Sequence, residues 1–129
     1  PAGKKIIIPR SSAANDFATE ALVRLGMDVD EILLYTVRTR AVEPIWKEFC
    51  DLLLQKRVDA IIFTSASNVN SFFEIMDRVS KDELQLDNLT KVVSIGPITS
   101  KALRDRGIGC FEAEEHTVRG ALQIANQVL

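Results

Sequence analysis

Residues 58–71, V-D-A-I-I-F-T-S-A-S-N-V-N-S, constrain the fold more than any other stretch. Ala60, Ile61, Ile62 and Phe63 run without polar alternation, the pattern of a strand buried on both faces of a parallel sheet, and such a strand is expected in the middle of that sheet. The run stops at Thr64, Ser65, Ala66, Ser67 and Asn68, and Val69, Phe72, Phe73 and Met76 then follow at helical spacing. Strand, hydroxyl-rich turn and helix thus succeed one another without a spacer. In open parallel sheets ligands lie outside the carboxyl ends of the strands, which is where this turn falls.

The same grammar recurs along the chain. Lys4–Ile8 reads as a strand ending in Pro9, Arg10, Ser11 and Ser12. Ala14, Phe17, Ala18, Ala21, Leu22 and Leu25 share a helical stripe that Gly26 ends in a left-handed conformation. Val29–Leu34 is a second strand with Tyr35 and Thr36 at its end, and residues 37–43, with Arg38 and Arg40, form a polar connection. Pro44 suits the first turn of a helix whose stripe is Ile45, Trp46, Phe49, Cys50 and Leu53. Ser80–Thr90 reads as loop with one helical turn. Val92–Ile95 is a fourth strand, followed by Gly96 and a helix that Pro97 starts and Gly107 closes. Ile108–Phe111, interrupted by Gly109, is a weak edge strand. A last helix starts near Thr117 and buries Val118, Ala121, Leu122, Ala125 and Val128.

Five strands alternating with five helices imply right-handed crossovers. The expected fold is α/β: a five-stranded parallel sheet in the flavodoxin-like order 2-1-3-4-5, helices on both faces, in one domain over residues 1–129. A different order of the same layers is its rival. Ile61, Ile62, Phe63, Val92, Val93 and Ile95 are expected at the centre.

At 129 residues, 47% hydrophobic and 26% charged, the chain has the size and composition of one globular domain. A net charge of −2 with scattered Lys and Arg gives no nucleic-acid footprint. Cys50 and Cys110, in apolar surroundings at odd spacing, fit buried thiols in a reducing compartment. No signal peptide or long apolar run supports secretion or membrane insertion, so the expected location is the cytoplasm. The start at Pro1-Ala2-Gly3, without methionine, fits a piece of a longer product.

Several functions of such sheets fail on residues. A receiver domain needs acids after the first strand and an aspartate after the third, where this chain has Arg10 and Thr64. Neither G-x-G-x-x-G nor G-x-x-x-x-G-K-[ST] occurs. His116, the single histidine, has no Cys, His or carboxylate cluster around it, so it supports neither zinc nor a Ser-His-Asp triad and reads as a solvent-facing loop residue.

What remains is a set of neutral donors at one sheet edge: Ser11, Ser12, Tyr35, Thr64, Ser65, Ser67, Asn68, Thr99 and Ser100. Helix capping accounts for Ser67 or Thr99 without a ligand. Alternatively, the helices beginning near Ser67 and Pro97 present free N–H groups and positive dipole ends to an anion, such as a polycarboxylate. Gly96 lets the backbone approach such a ligand, Pro97 preorganises the helix start, and Arg10 adds charge.

V-D-A-I-I-F-T-S-A-S-N-V (58–69), V-V-S-I-G-P-I-T-S-K-A-L-R-D-R-G (92–107) and A-E-E-H-T-V-R-G-A-L (113–122) together resemble the uroporphyrinogen-III synthase family, and I-I-I-P-R (6–10) and D-E-I-L-L-Y-T (30–36) extend the likeness over nearly the whole chain. The I-G-P-x-T element and its preceding F-T-S turn are the specific part. The resemblance implies closure of the linear tetrapyrrole hydroxymethylbilane to uroporphyrinogen III with inversion of ring D, without a metal or organic cofactor. It makes Tyr35 the candidate to assist departure of the substrate hydroxyl, and Thr64, Ser65, Ser67, Gly96 and Thr99 the groups that bind carboxylates or orient the chain. Members of the family usually have two such domains, and this sequence is similar to the second half of that pattern. The resemblance therefore also implies a missing second domain or a homodimer partner, with residues 1–36 exchanged between chains. The alternative is an isolated, non-catalytic domain that binds a polycarboxylate tetrapyrrole or another anion.

Overall fold

A computed structural model describes residues 2–13, 16–36, 38–39 and 41–129, with Tyr35 described by its backbone alone. Ala14, placed above on the first helical stripe, and Arg40, in the connection, lie outside the described residues. The chain forms two compact units, Pro1–Arg38 and Thr39–Leu129.

The first unit holds β1 (Lys5–Ser11), α1 (Phe17–Arg24) and β2 (Asp28–Tyr35). The strands pair in parallel, Lys5 opposite Asp28 and Ile8 opposite Glu31, with an irregularity between Arg10 and Ser11. Helix α1 ends as the sequence requires: Gly26 has φ +78, and the Met27 N–H reaches back to the Leu22 carbonyl at 3.2 Å.

The second unit holds α2 (Pro44–Leu54), β3 (Ala60–Phe63), α3 (Ala66–Val79), a 3-10 turn (Leu86–Asn88), β4 (Lys91–Ser94), α4 (Pro97–Arg104), β5 (Phe111–Glu112) and α5 (Val118–Val128). Its three strands are parallel in the order β3-β4-β5. Strand alternation sends Phe63 and Val92 to one face, where Leu53, Val69, Phe72, Met76 and Leu103 from α2, α3 and α4 bury them. Ile62, Val93 and Ile95 go to the other face, against Ala121 and Ala125 of α5. Edge-to-face rings link Trp46, Phe49, Phe72 and Phe63, and Arg106 lies 4.8 Å from the Phe73 ring centroid.

The single five-stranded sheet expected from the sequence is not formed. The strands fall into a two-stranded sheet, β1-β2, and a three-stranded sheet, β3-β4-β5. The pairing of β1 with β3 that would join them is absent among the described residues. Backbone chemistry supplies a reason. The Asp28 N–H donates to the Lys4 carbonyl, so alternate residues Ile6, Ile8 and Arg10 turn their backbone groups toward β2, and Pro9 turns its own toward the open edge. A strand docking there would meet no N–H at Pro9, and proline is accordingly confined to strand edges. The apolar run Ala60–Phe63 was expected at mid-sheet. It instead lies at one end of its sheet, and β4, with Val92 and Val93 at 1% and 0% exposure, takes the centre.

Candidate functional site

Two polar turns lie side by side where β3 and β4 end, since the register pairs Phe63 with Ser94 and the Ile95 N–H donates to the Phe63 carbonyl at 3.0 Å. The first turn leads into α3. Ser65 is its N-cap in extended backbone, and its hydroxyl accepts from the Asn68 N–H at 3.1 Å. Ser67 Oγ lies 3.1 Å from Ser65 Oγ, and Asn68 Nδ2 donates to Thr64 Oγ1 at 3.2 Å. Thr64, Ser65, Ser67 and Asn68 therefore form one small network. Among the described residues the backbone N–H groups of Ala66 and Ser67 find no acceptor, as expected for the first turn of a helix.

The second turn leads into α4. Gly96 is the N-cap, and no side chain caps the helix. Pro97 follows at the first helical position, where its missing N–H costs nothing. The turn is braced from inside: Ser94 and Ser100, both fully buried, share a hydrogen bond of 2.5 Å, and the Ser94 hydroxyl also donates to the Gly96 carbonyl at 3.3 Å. The Ile98 and Thr99 N–H groups have no acceptor among the described residues. Thr99 is 3% exposed, yet its hydroxyl has no hydrogen-bond partner among them either. The only fully buried side-chain polar atom found there without a partner is Thr90 Oγ1, so the Thr99 hydroxyl retains contact with solvent. Thr99 thus does not cap α4. The side-chain caps are Ser65 on α3 and Thr117 on α5, the latter accepting from the Gly120 N–H at 3.0 Å.

Ser11 and Arg10 lie at the end of β1, in the other unit. The Arg10 side chain is 14% exposed and meets Asp16 at 2.5 Å and Glu31 at 2.9 Å. The Thr19 hydroxyl and the Arg10 guanidinium hold the Glu31 carboxyl below the usual carboxylate range. Two carboxylates thus already offset the charge of Arg10. Tyr35 ends β2 opposite Ser11; its side chain lies outside the described residues.

His116 packs on the α4 turn. A methyl group built on Gly96 would lie 3.3 Å from His116 Cγ and 3.5 Å from Cδ2. This histidine is exposed, as expected of a solvent-facing loop residue, but it is seated against the α4 turn. Its place in the A-E-E-H-T segment beside the Thr117 cap was the available signal.

A cavity of about 380 Å³ lined by Phe73, Asp77, Lys81, Asp82, Glu83 and Arg106 occurs where α3 ends. Parallel topology puts it at the opposite end of the sheet from the two turns, and its three carboxylates make it a poor place for an anion. Among the described residues no group of His, Cys, Asp and Glu could hold a metal ion, and no helix is long and apolar enough to cross a membrane. Cys50 and Cys110 are free thiols; burial pushes the Cys50 thiol up, with Asp51 adding to the effect.

Fold and turns together define the class: a parallel α/β protein whose donor-rich turns gather at the carboxyl ends of adjacent strands. The chain belongs to the uroporphyrinogen-III synthase family, whose family model, described as "Uroporphyrinogen-III synthase HemD", matches residues 1–123. A Methanothermobacter thermautotrophicus protein named "Putative uroporphyrinogen-III synthase" is 31% identical over 119 residues, 91% of this chain and 46% of the relative. An Archaeoglobus fulgidus protein of the same name is 32% identical over 124 residues, 95% of this chain and 51% of the relative. The chain therefore spans about half the length of the curated relatives it matches. Among solved structures, uroporphyrinogen-III synthetase of Helicobacter pylori superposes with a TM-score of 0.71 at 19% identity, over 98% of this chain and 54% of that one. A mutant Thermus thermophilus uroporphyrinogen-III synthase does so with a TM-score of 0.60 at 24% identity, over 99% and 51%. At these identities the likeness speaks for the fold.

Proposed function

We propose that this chain is the part of a uroporphyrinogen-III synthase that holds and orients the carboxylates of hydroxymethylbilane while the linear tetrapyrrole closes to uroporphyrinogen III with ring D inverted. The observation that carries the reading is the pair of helix N-termini at the ends of β3 and β4, where N–H groups of Ala66, Ser67, Ile98 and Thr99 and the Thr99 hydroxyl lack protein acceptors among the described residues. Such ends favour negative charge. A substrate with eight carboxylates supplies it.

In this reading the chemistry needs little acid–base power. Tyr35 donates a proton to the departing hydroxyl, which leaves as water, and the resulting azafulvene is attacked by ring D to give a spiro-pyrrolenine that reopens and closes in the inverted sense. Most of the rate comes from holding the flexible chain in that geometry and from hydrogen bonds to its charges. Thr64, Ser65, Ser67, Asn68, Gly96, Pro97 and Thr99 form the carboxylate-holding edge of the second unit, and Arg10, Ser11 and Tyr35 stand at the strand ends of the first. A second α/β domain of similar size completes the cleft, a role supported by relatives of twice this length.

The non-catalytic alternative draws support from the same half-length, since a lone half would bind tetrapyrrole without converting it. Assay of hydroxymethylbilane conversion alongside binding separates the two. The proposal expects product with ring D inverted, and Tyr35→Phe is expected to lower turnover at least about 100-fold, the low end of what a positioned proton donor contributes, with an unchanged melting temperature. Unchanged turnover in the variant removes Tyr35 from the mechanism; binding without turnover in either form leaves the binding module.

A further inference from the structure

His116 is the one imidazole of the chain, and its Cγ and Cδ2 lie 3.3 and 3.5 Å from where a Cβ on Gly96, at the mouth of α4, would stand. Gly96 is buried and His116 is exposed, so the ring forms an outer wall of the turn. Neither nitrogen has a hydrogen-bond partner among the described residues. The same turn carries the Ile98 and Thr99 N–H groups, which lack acceptors among the described residues, and the Thr99 hydroxyl, unpartnered among them although the residue is 97% hidden. A threonine in a helix can satisfy its hydroxyl on a carbonyl one turn back; this one makes no such bond.

We infer that His116 is a binding residue of the α4 turn: it donates a ring N–H to the anionic group that the Ile98 and Thr99 N–H groups and the Thr99 hydroxyl hold, and its contact with Gly96 fixes the ring in place to do so. The inference rests on the carboxylate-holding role proposed for this turn and adds to it a side chain from the loop before α5. A Cβ at position 96 would come within 3.3 Å of the imidazole, so the ring would have to give way slightly. A neutral imidazole nitrogen that carries hydrogen is a donor in its own right, so the role does not require a charged ring.

Because the histidine is single, its imidazole resonances need no assignment, and the full chain titrated with sodium sulfate against sodium chloride at matched ionic strength reports directly. The expected result is that the imidazole signals and the Ile98 and Thr99 amide signals move with one midpoint, that His116→Ala weakens sulfate binding about 3- to 10-fold, and that His116→Asn, which keeps an N–H donor, restores part of it. Amides that shift while the imidazole stays still, with unchanged affinity in His116→Ala, overturn the role of His116 and leave the turn as the anion site. No shift at the amides or the imidazole overturns both. Should a variant fail to fold, the wild-type imidazole trace alone decides.

Discussion

Thr90, between the 3-10 turn and β4, carries a buried hydroxyl without a partner among the described residues, and a buried orphan of this kind costs about 1–3 kcal/mol. Thr90→Val removes the oxygen at nearly constant volume. It is expected to stabilise the second unit by roughly 1 kcal/mol, read as a raised urea midpoint at unchanged slope; a lowered midpoint would mean the hydroxyl has a use. Lys56 is strained in another way. Its φ of 56 ends α2 in the conformation that Gly26 and Gly107 supply after α1 and α4, and its N–H donates to Leu53 as the Gly107 N–H does to Arg104. Lys56→Gly is expected to stabilise by about 1 kcal/mol, the scale of a left-handed non-glycine residue, provided the Arg57-to-Leu52 bond survives, which amide exchange at Arg57 checks.

At the level of elements, the turn before β4 is tied to the segment before β5 by one carboxylate. Asp87 Oδ2 accepts from the Gly109 N–H at 2.8 Å, and Gln85 Nε2 bridges Asp87 and the Gly107 carbonyl at 2.8 and 2.9 Å. Burial pushes the Asp87 carboxyl up, but the hydrogen bonds from Gly109, Gln85 and its own backbone outweigh it, and the pKa is lowered. The stabilisation is therefore present above the ordinary carboxylate value near ~4 and is lost as pH falls through the lower folded value. Asp87→Ala is expected to melt roughly 1–3 °C below the wild type at neutral pH, the scale of an exposed charge-assisted contact, with the gap closing as pH falls below the ordinary carboxylate range; a gap constant with pH would deny the carboxylate this part. Such a clamp is invisible in sequence, because Asp87 and Gly109 meet only through the crossing of two loops. Elements with a strong local signal were legible: the helical spacing of Val69, Phe72, Phe73 and Met76 gives residues that are all buried in α3, and the glycines at 26 and 107 end their helices at φ +78 and +73. Less legible were the faces of the first unit. Phe17, Leu33 and Leu34 are 78%, 59% and 64% exposed; their apolar pattern reads as core, but pattern alone does not say what covers it.

For the whole molecule, the difference between the five-stranded sheet expected and the two sheets found lies in long-range pairing. Short-range grammar specifies strand, turn and helix, whereas the neighbour of β1 depends on which edge Pro9 faces. The candidate site shows the same division. The two turns of the second unit were legible because each directly follows its own strand, and β3 and β4 then bring them together. The seating of His116 on Gly96 joins loops twenty residues apart in sequence and was not. The central claim is that the α4 turn holds a carboxylate, and affinity for a tetrapyrrole octacarboxylate, measured for the wild-type chain and for Thr99→Ala with melting curves alongside, tests it most directly. The account predicts that Thr99→Ala loses about 0.5–1.5 kcal/mol of affinity, one net hydrogen bond, whatever fall in melting temperature the loss of its buried methyl brings. Equal affinities accompanied by a lowered melting temperature would contradict it.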